Sequence, residues 1–146
     1  MDHGSYYLIG HVLYSGRADN HHSRGVGIIT TKVVHKSLSE WKPISKRIIK
    51  AKYNAAFAKL SVIICYAPTG DAEDEVDDTF FDELQASVEE TPSHDVLPIP
   101  GDLNAKVRVD NQREECTRER QGLGDANDNG GRLTTFCQEK DRKSVV

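Results

Sequence analysis

The stretch Val96-Leu97-Pro98-Ile99-Pro100-Gly101-Asp102-Leu103-Asn104-Ala105 decides how this chain is read. A short apolar run leads into a Gly-Asp-Leu-Asn tetrad, so the tetrad is predicted to sit where a buried strand ends. Residues two apart in extended backbone share a face, which would set Asp102 and Asn104 side by side at the mouth of a sheet. A carboxylate beside a carboxamide there suits a divalent metal and an attacking water in phosphoester hydrolysis. Turn chemistry after a strand explains the same two residues, and both readings stay open at this point. Pro98 and Pro100 remove backbone donors and should weaken the strand.

Working outward, Leu60-Ser61-Val62-Ile63-Ile64-Cys65-Tyr66 is the strongest strand signal, and it stops at Pro68. Between it and the tetrad lies an acidic helix in which Val76, Phe80, Leu84 and Val88 recur every four residues, with Phe81 beside them. Asp71, Glu73, Asp74 and Glu75 fall at its start, where the helix dipole favours negative charge; the acidic run therefore reads as a solvated helix face rather than a metal site. A strand–helix–strand unit of this kind could bring Tyr66 and Asp102 to one sheet edge, pairing a phenol that can donate to a phosphate oxygen with a carboxylate that can orient or deprotonate water. Packing alone would also explain Tyr66.

Earlier in the chain, Tyr7-Leu8-Ile9 and Val12-Leu13-Tyr14 read as short strands, residues 25–30 as a buried strand, and residues 48–53 as a half-buried one. After the tetrad the chain is polar until a last helix beginning near Gly131, with Leu133, Phe136 and Cys137 forming its apolar stripe. Asp125-x-Asn127-x-Asn129-Gly130 matches the first half of a calcium loop, but the twelfth position is Phe136 where a bidentate Glu is needed; a turn and N-cap for the last helix is the reading taken. The order of elements fits one layered α/β or α+β domain over residues 1–146.

The chain has 146 residues, 37% hydrophobic and 29% charged, enough for one domain with a core. No run reaches the length of a membrane span, no signal peptide is evident, and Cys65, Cys116 and Cys137 form neither a CxxC motif nor a disulfide framework. The expectation is a nuclear or cytoplasmic protein with reduced thiols, not secreted and without a disulfide-linked partner. Charge is uneven. Residues 1–59 carry 10 Lys/Arg against 3 Asp/Glu, whereas residues 60–105 carry 12 Asp/Glu and no Lys or Arg. The basic block could meet nucleic-acid phosphates or be a solvated face. The His21-His22 pair reads as solvated rather than metal-binding.

Taken in order, Leu13-Tyr14-Ser15-Gly16-Arg17, Gly25-Val26-Gly27-Ile28, Arg47-Ile48, Tyr66-Ala67-Pro68-Thr69, Gly101-Asp102-Leu103-Asn104-Ala105-Lys106-Val107, Gly122-Leu123-Gly124, Asn127-Asp128-Asn129-Gly130 and Arg132-Leu133 resemble the endonuclease/exonuclease/phosphatase superfamily, and within it the endonuclease domains of non-LTR retrotransposons. The resemblance implies a four-layered α/β sandwich, here truncated at both ends, and Mg²⁺- or Mn²⁺-dependent cleavage of DNA phosphodiesters. It implies Asp102 as the base or water-orienting carboxylate, Asn104 as the phosphate- or metal-holding residue, Asp102 and Asn104 together as the metal ligands, and Tyr66 against the scissile phosphate, with Thr69 and Arg47 as substrate contacts. The superfamily also uses a metal-binding Glu on an early strand and a late catalytic His; neither has a counterpart in these 146 residues, so weak or absent activity is expected. A phosphatase of the same superfamily and a non-catalytic nucleic-acid-binding remnant are the alternatives.

Overall fold

The computed structural model describes residues 2–7, 10–16, 25–69, 74–106 and 127–139. Among these, three antiparallel strands form one sheet in the order β1 (Asp2–Tyr7), β2 (His11–Gly16), β3 (Val26–Thr30). A second sheet runs β4 (Leu38–Ser45), β5 (Ile48–Asn54), β6 (Lys59–Tyr66), β7 (Gly101–Asp102), antiparallel except for the last pair. Three helices complete the described chain: α1 (Lys32–His35), α2 (Asp74–Glu89) and α3 (Asp128–Glu139). The mixed α/β class expected from the sequence is the class observed. Of the first predicted strand, Tyr7 closes β1, which starts back at Asp2; Leu8 and Ile9 lie outside the described residues, as do His21, His22, Cys116 and Gly122-Leu123-Gly124.

Strand alternation builds two cores, one on each face of the second sheet. On β5, Ile49, Ala51 and Tyr53 face the first sheet and pack with Leu13, Val26, Ile28, Leu60, Val62 and Ile64. On the opposite face, Ile48, Ile63 and Cys65 pack with Phe80, Phe81, Leu84 and Val88 of α2 and Phe136 of α3. The result among the described residues is three layers: sheet, sheet, helices. The two sheets are also tied by Ser15, fully buried, whose hydroxyl donates to the Ser45 carbonyl at 2.6 Å.

This layering corrects two expectations. Residues 48–51 are all buried rather than half-buried, because β5 is covered on both faces and alternation no longer separates wet from dry. The strand at residues 25–30 is half-buried rather than buried. Val26 and Ile28 face the other sheet, but Ile29 is 77% exposed on the outer face. β4 has no clear signal in the sequence. It is an edge strand that contains Pro43 and shifts register twice, between Leu38 and Glu40 and between Pro43 and Ser45; edges tolerate both.

In α2 the buried stripe is Asp77, Phe80, Phe81, Leu84, Ser87 and Val88, whereas Val76 is 42% exposed. The predicted stripe is thus buried from Phe80 to Val88 and departs from prediction only at its first position, where the carboxylate of Asp77 turns inward in place of Val76. Asp77 is reached by Arg132 of α3 (Oδ2 to Nη1, 3.7 Å), and the same guanidinium binds Asp78 through Nε at 2.9 Å. Leu84 is completely buried, so its truncation to Ala would cost about 2–5 kcal/mol. No residue of α2's last turn is basic; the end is met by Lys50 of β5, whose ammonium donates to the Ser87 carbonyl at 2.8 Å and lies 3.9 Å from Glu90. Burial holds the Lys50 ammonium below its ordinary pKa, opposed by Glu90.

The prolines act as the sequence suggests. The 96–102 segment runs alongside β6, and Ser61, Ile63 and Cys65 donate to the carbonyls of Val96, Pro98 and Pro100 at 2.9, 3.1 and 3.2 Å. In a parallel pair the same residues should also donate to β6. Val96 does so, to the Lys59 carbonyl at 2.9 Å, while Pro98 and Pro100 have no N–H to give. Two of the ladder's bonds are lost. The expected apolar strand is reduced to a bridge at Val96 and the two-residue β7, and Val96 itself is 55% exposed.

Candidate functional site

The parallel pairing of β6 with β7 puts Cys65 opposite Gly101 and Tyr66 opposite Asp102. Gly101 is required by close approach: a Cβ there would lie 2.0 Å from the Cys65 carbonyl oxygen and 3.0 Å from its sulfur. Paired positions on neighbouring strands direct side chains to the same face about 4.8 Å apart, so the phenol-bearing and carboxylate-bearing residues are neighbours, as the strand–helix–strand reading required. The Ala67 amide donates to the Asp102 carbonyl at 2.8 Å and extends the pairing one residue past β6.

Arg47 joins them from the two-residue turn between β4 and β5. Its carbonyl accepts from the Tyr66 amide at 3.0 Å, its Nη1 donates to the Tyr66 carbonyl at 3.1 Å, and its guanidinium carbon lies 5.3 Å from the centre of the Tyr66 ring. That distance is within cation–π range. The cluster therefore combines a cation, a phenol and an exposed carboxylate. Thr69 is exposed just beyond the buried Pro68.

Asn104 is placed differently from expectation. It does not continue the extended backbone of Asp102 but turns at φ 46°, the one non-glycine residue with positive φ among those described. The reason is local. Asp102 Oδ1 accepts the Asn104 N–H at 2.9 Å, a turn in which an Asp side chain replaces a backbone acceptor two residues on. Asn104 then directs its amide nitrogen to the Ala67 carbonyl at 2.8 Å, so its carboxamide oxygen is the atom suited to a phosphate-bound cation or water. The turn reading is the one the backbone shows, and the shared face expected of two residues in extended backbone is replaced by this turn.

Two further asparagines support the loop. Asn127 caps α3, its Oδ1 accepting from Gly130 N at 2.9 Å and Lys106 N at 2.8 Å, while its Nδ2 donates to the Asn104 carbonyl at 2.8 Å. Asn129, 2% exposed, donates to the Pro68 carbonyl at 3.1 Å. The last helix consequently starts at Asp128, three residues before the position predicted; of the calcium-loop lookalike, Asp125 lies outside the described residues, Asn127 is a cap and Phe136 is buried in the core. The Asn-x-Asn-Gly pattern signalled the cap; that it also braces Asn104 from 23 residues away was not visible in the sequence.

Electrostatically the centre of the site is dry on one side and open on the other. Cys65, beneath it, has its thiol pushed up to about 11 by burial and by the nearby Asp102 charge. No group of three or more His, Cys, Asp or Glu converges among the described residues. Asp102 and Asn104 supply one carboxylate and one carboxamide, too few to hold a divalent ion by protein alone; Mg²⁺ or Mn²⁺ at this place would need phosphate and water for most of its ligands. Cys65 and Cys137 are both free thiols, and no helix among the described residues is long and apolar enough to cross a membrane.

No protein-family model matches the chain, and no solved structure matches it. Over 127 residues, 87% of its length, it is 35% identical to craniofacial development protein 2 of Bos taurus and likewise to that of Tragulus javanicus. It spans 21% and 22% of those two proteins, about a fifth of each. The chain is thus a homologue of one part of craniofacial development protein 2.

Proposed function

We propose that the cluster at the ends of β6 and β7 is a phosphodiester-binding site of the endonuclease/exonuclease/phosphatase type, with DNA as its partner. The observation that carries this reading is the register match of Tyr66 with Asp102, with Arg47 held against the Tyr66 ring. Arg47 attracts the phosphate, the Tyr66 hydroxyl donates to one of its oxygens, and Asp102 orients the attacking water. Asn104, locked through Ala67, offers its carboxamide oxygen to the same water or to a phosphate-bound Mg²⁺. Two stacked sheets with helices over one of them are consistent with the four-layered sandwich of that superfamily.

Because the described donor set includes one carboxylate and no histidine beside it, cleavage by this chain alone is weak or absent. A plasmid-nicking assay with Mg²⁺ tests this: conversion of supercoiled DNA should stay near background. Vigorous nicking that disappears in Asp102→Ala would overturn the inactivity while keeping the site. Release of inorganic phosphate from small esters, without DNA binding, would favour a phosphatase.

A further inference from the structure

We propose that the groove between α2 and α3 is a docking site for a basic amphipathic helix of a partner protein. The groove encloses about 1090 Å³, more than the roughly 300–1,000 Å³ of small-molecule sites. It runs along α2 from Asp78 to Glu89, about 17 Å or three helical turns at 1.5 Å per residue. That is the footprint of a helix laid in a groove.

Its floor is apolar. Phe81 and Phe136 close the bottom, each 8% exposed, and Ala86 lines one wall. The rim is acidic, with Asp82 and Glu89 on α2 and Asp128 on α3. Arg132, the one cation among the described lining residues, already lies against Asp77 and Asp78. Such a field repels nucleic acid and anionic lipid and attracts a cationic segment. A second copy's own α2 or α3 is unsuited as occupant: α2 contains no Lys or Arg, and the only one in α3 is Arg132. Midway along the α3 wall stands Gly131, where an added Cβ meets nothing within 4 Å. The wall is notched there, and an incoming side chain can approach the helix backbone.

The notch supplies a test that leaves the fold intact, since replacing a helical glycine by a better helix former does not weaken the helix. The probe is a labelled 18-residue Leu/Lys peptide with Leu at helical spacing, titrated by fluorescence anisotropy. A peptide of identical composition, scrambled to destroy the stripe, controls for charge alone. Expected is saturable one-to-one binding at least tenfold tighter than the scrambled peptide, weakened at least tenfold by Gly131→Leu and by Asp82→Lys with Glu89→Lys, while Gly131→Leu melts no lower than the parent chain. Equal binding of both peptides, or unchanged binding by Gly131→Leu, would overturn the proposal. A groove already filled by another part of this chain would show the first of these results.

Discussion

Tyr66 and Asp102 are partners across the parallel β6–β7 pair, and the hydrogen bond from the Ala67 amide that secures this pairing uses the main chain of Asp102 rather than its carboxylate. Fold and proposed chemistry thus draw on different atoms of the same residues. Tyr66→Phe should unfold within about 0.5 kcal/mol of the parent in urea. Its affinity for duplex DNA should fall about threefold to tenfold, the worth of one hydrogen bond of about 0.5–1.5 kcal/mol.

Asn104 combines a left-handed backbone with a bond to Ala67. Asn104→Gly loses the bond alone and should cost about 1 kcal/mol. Asn104→Ala loses the bond and also meets the left-handed penalty of about 1–2 kcal/mol, so it should be the less stable of the two. Equilibrium urea titrations of both variants read the difference directly.

The adjacent glycines of α3 should respond in opposite directions. A Cβ on Gly130 would lie 2.0 Å from the Lys106 carbonyl oxygen, backbone that cannot swing aside, so Gly130→Ala should cost about 1–3 kcal/mol and loosen the loop that Asn127 braces. Gly131→Ala meets open space and should stabilise by about 0.5–1 kcal/mol. Thermal melts of the two variants, on either side of the parent, check both.

Cys65 has its thiol raised from an ordinary 9.0 to about 11 by burial, then by Asp102. A thiol with a raised folded pKa keeps its proton while the unfolded thiol ionises. It therefore adds no pH dependence below about 9, and stability is lost as pH rises from 9 towards 11. Comparing the pH dependence of urea midpoints for the parent and Cys65→Ala isolates this contribution, and the alanine variant should lose less over that window. At pH 8, the exposed Cys137 should react with a thiol reagent far faster than Cys65.

The strand–helix–strand core was legible because β6 and α2 carry unbroken apolar patterns, and because Pro98 and Pro100 announce a ladder with donors missing. β4 was not legible: an edge strand with Pro43 and two register shifts has no clean alternation. The burial of β5 was understated, since two covering layers erase the pattern that a sequence displays. At the site, Tyr66, Asp102 and Arg47 could be named from the sequence, and the fold brings them together. The bracing of Asn104 by Asn127, and the inward turn of Asp77 towards Arg132, depend on contacts between distant segments that no local pattern encodes.

DNA binding is less broadly supported by the basic first block than its charge suggests, because Lys42 and Lys50 are paired with Glu90, and Lys52 with Glu40. The site claim therefore rests on the strand ends, and NMR mapping of a short DNA duplex onto the 146-residue chain tests it most directly. Shifts should concentrate at Arg47, Tyr66, Asp102 and Asn104, weaken with salt and be greatly reduced in Arg47→Ala. Shifts confined to the lysines of the outer strands, with those four residues unmoved, would contradict it.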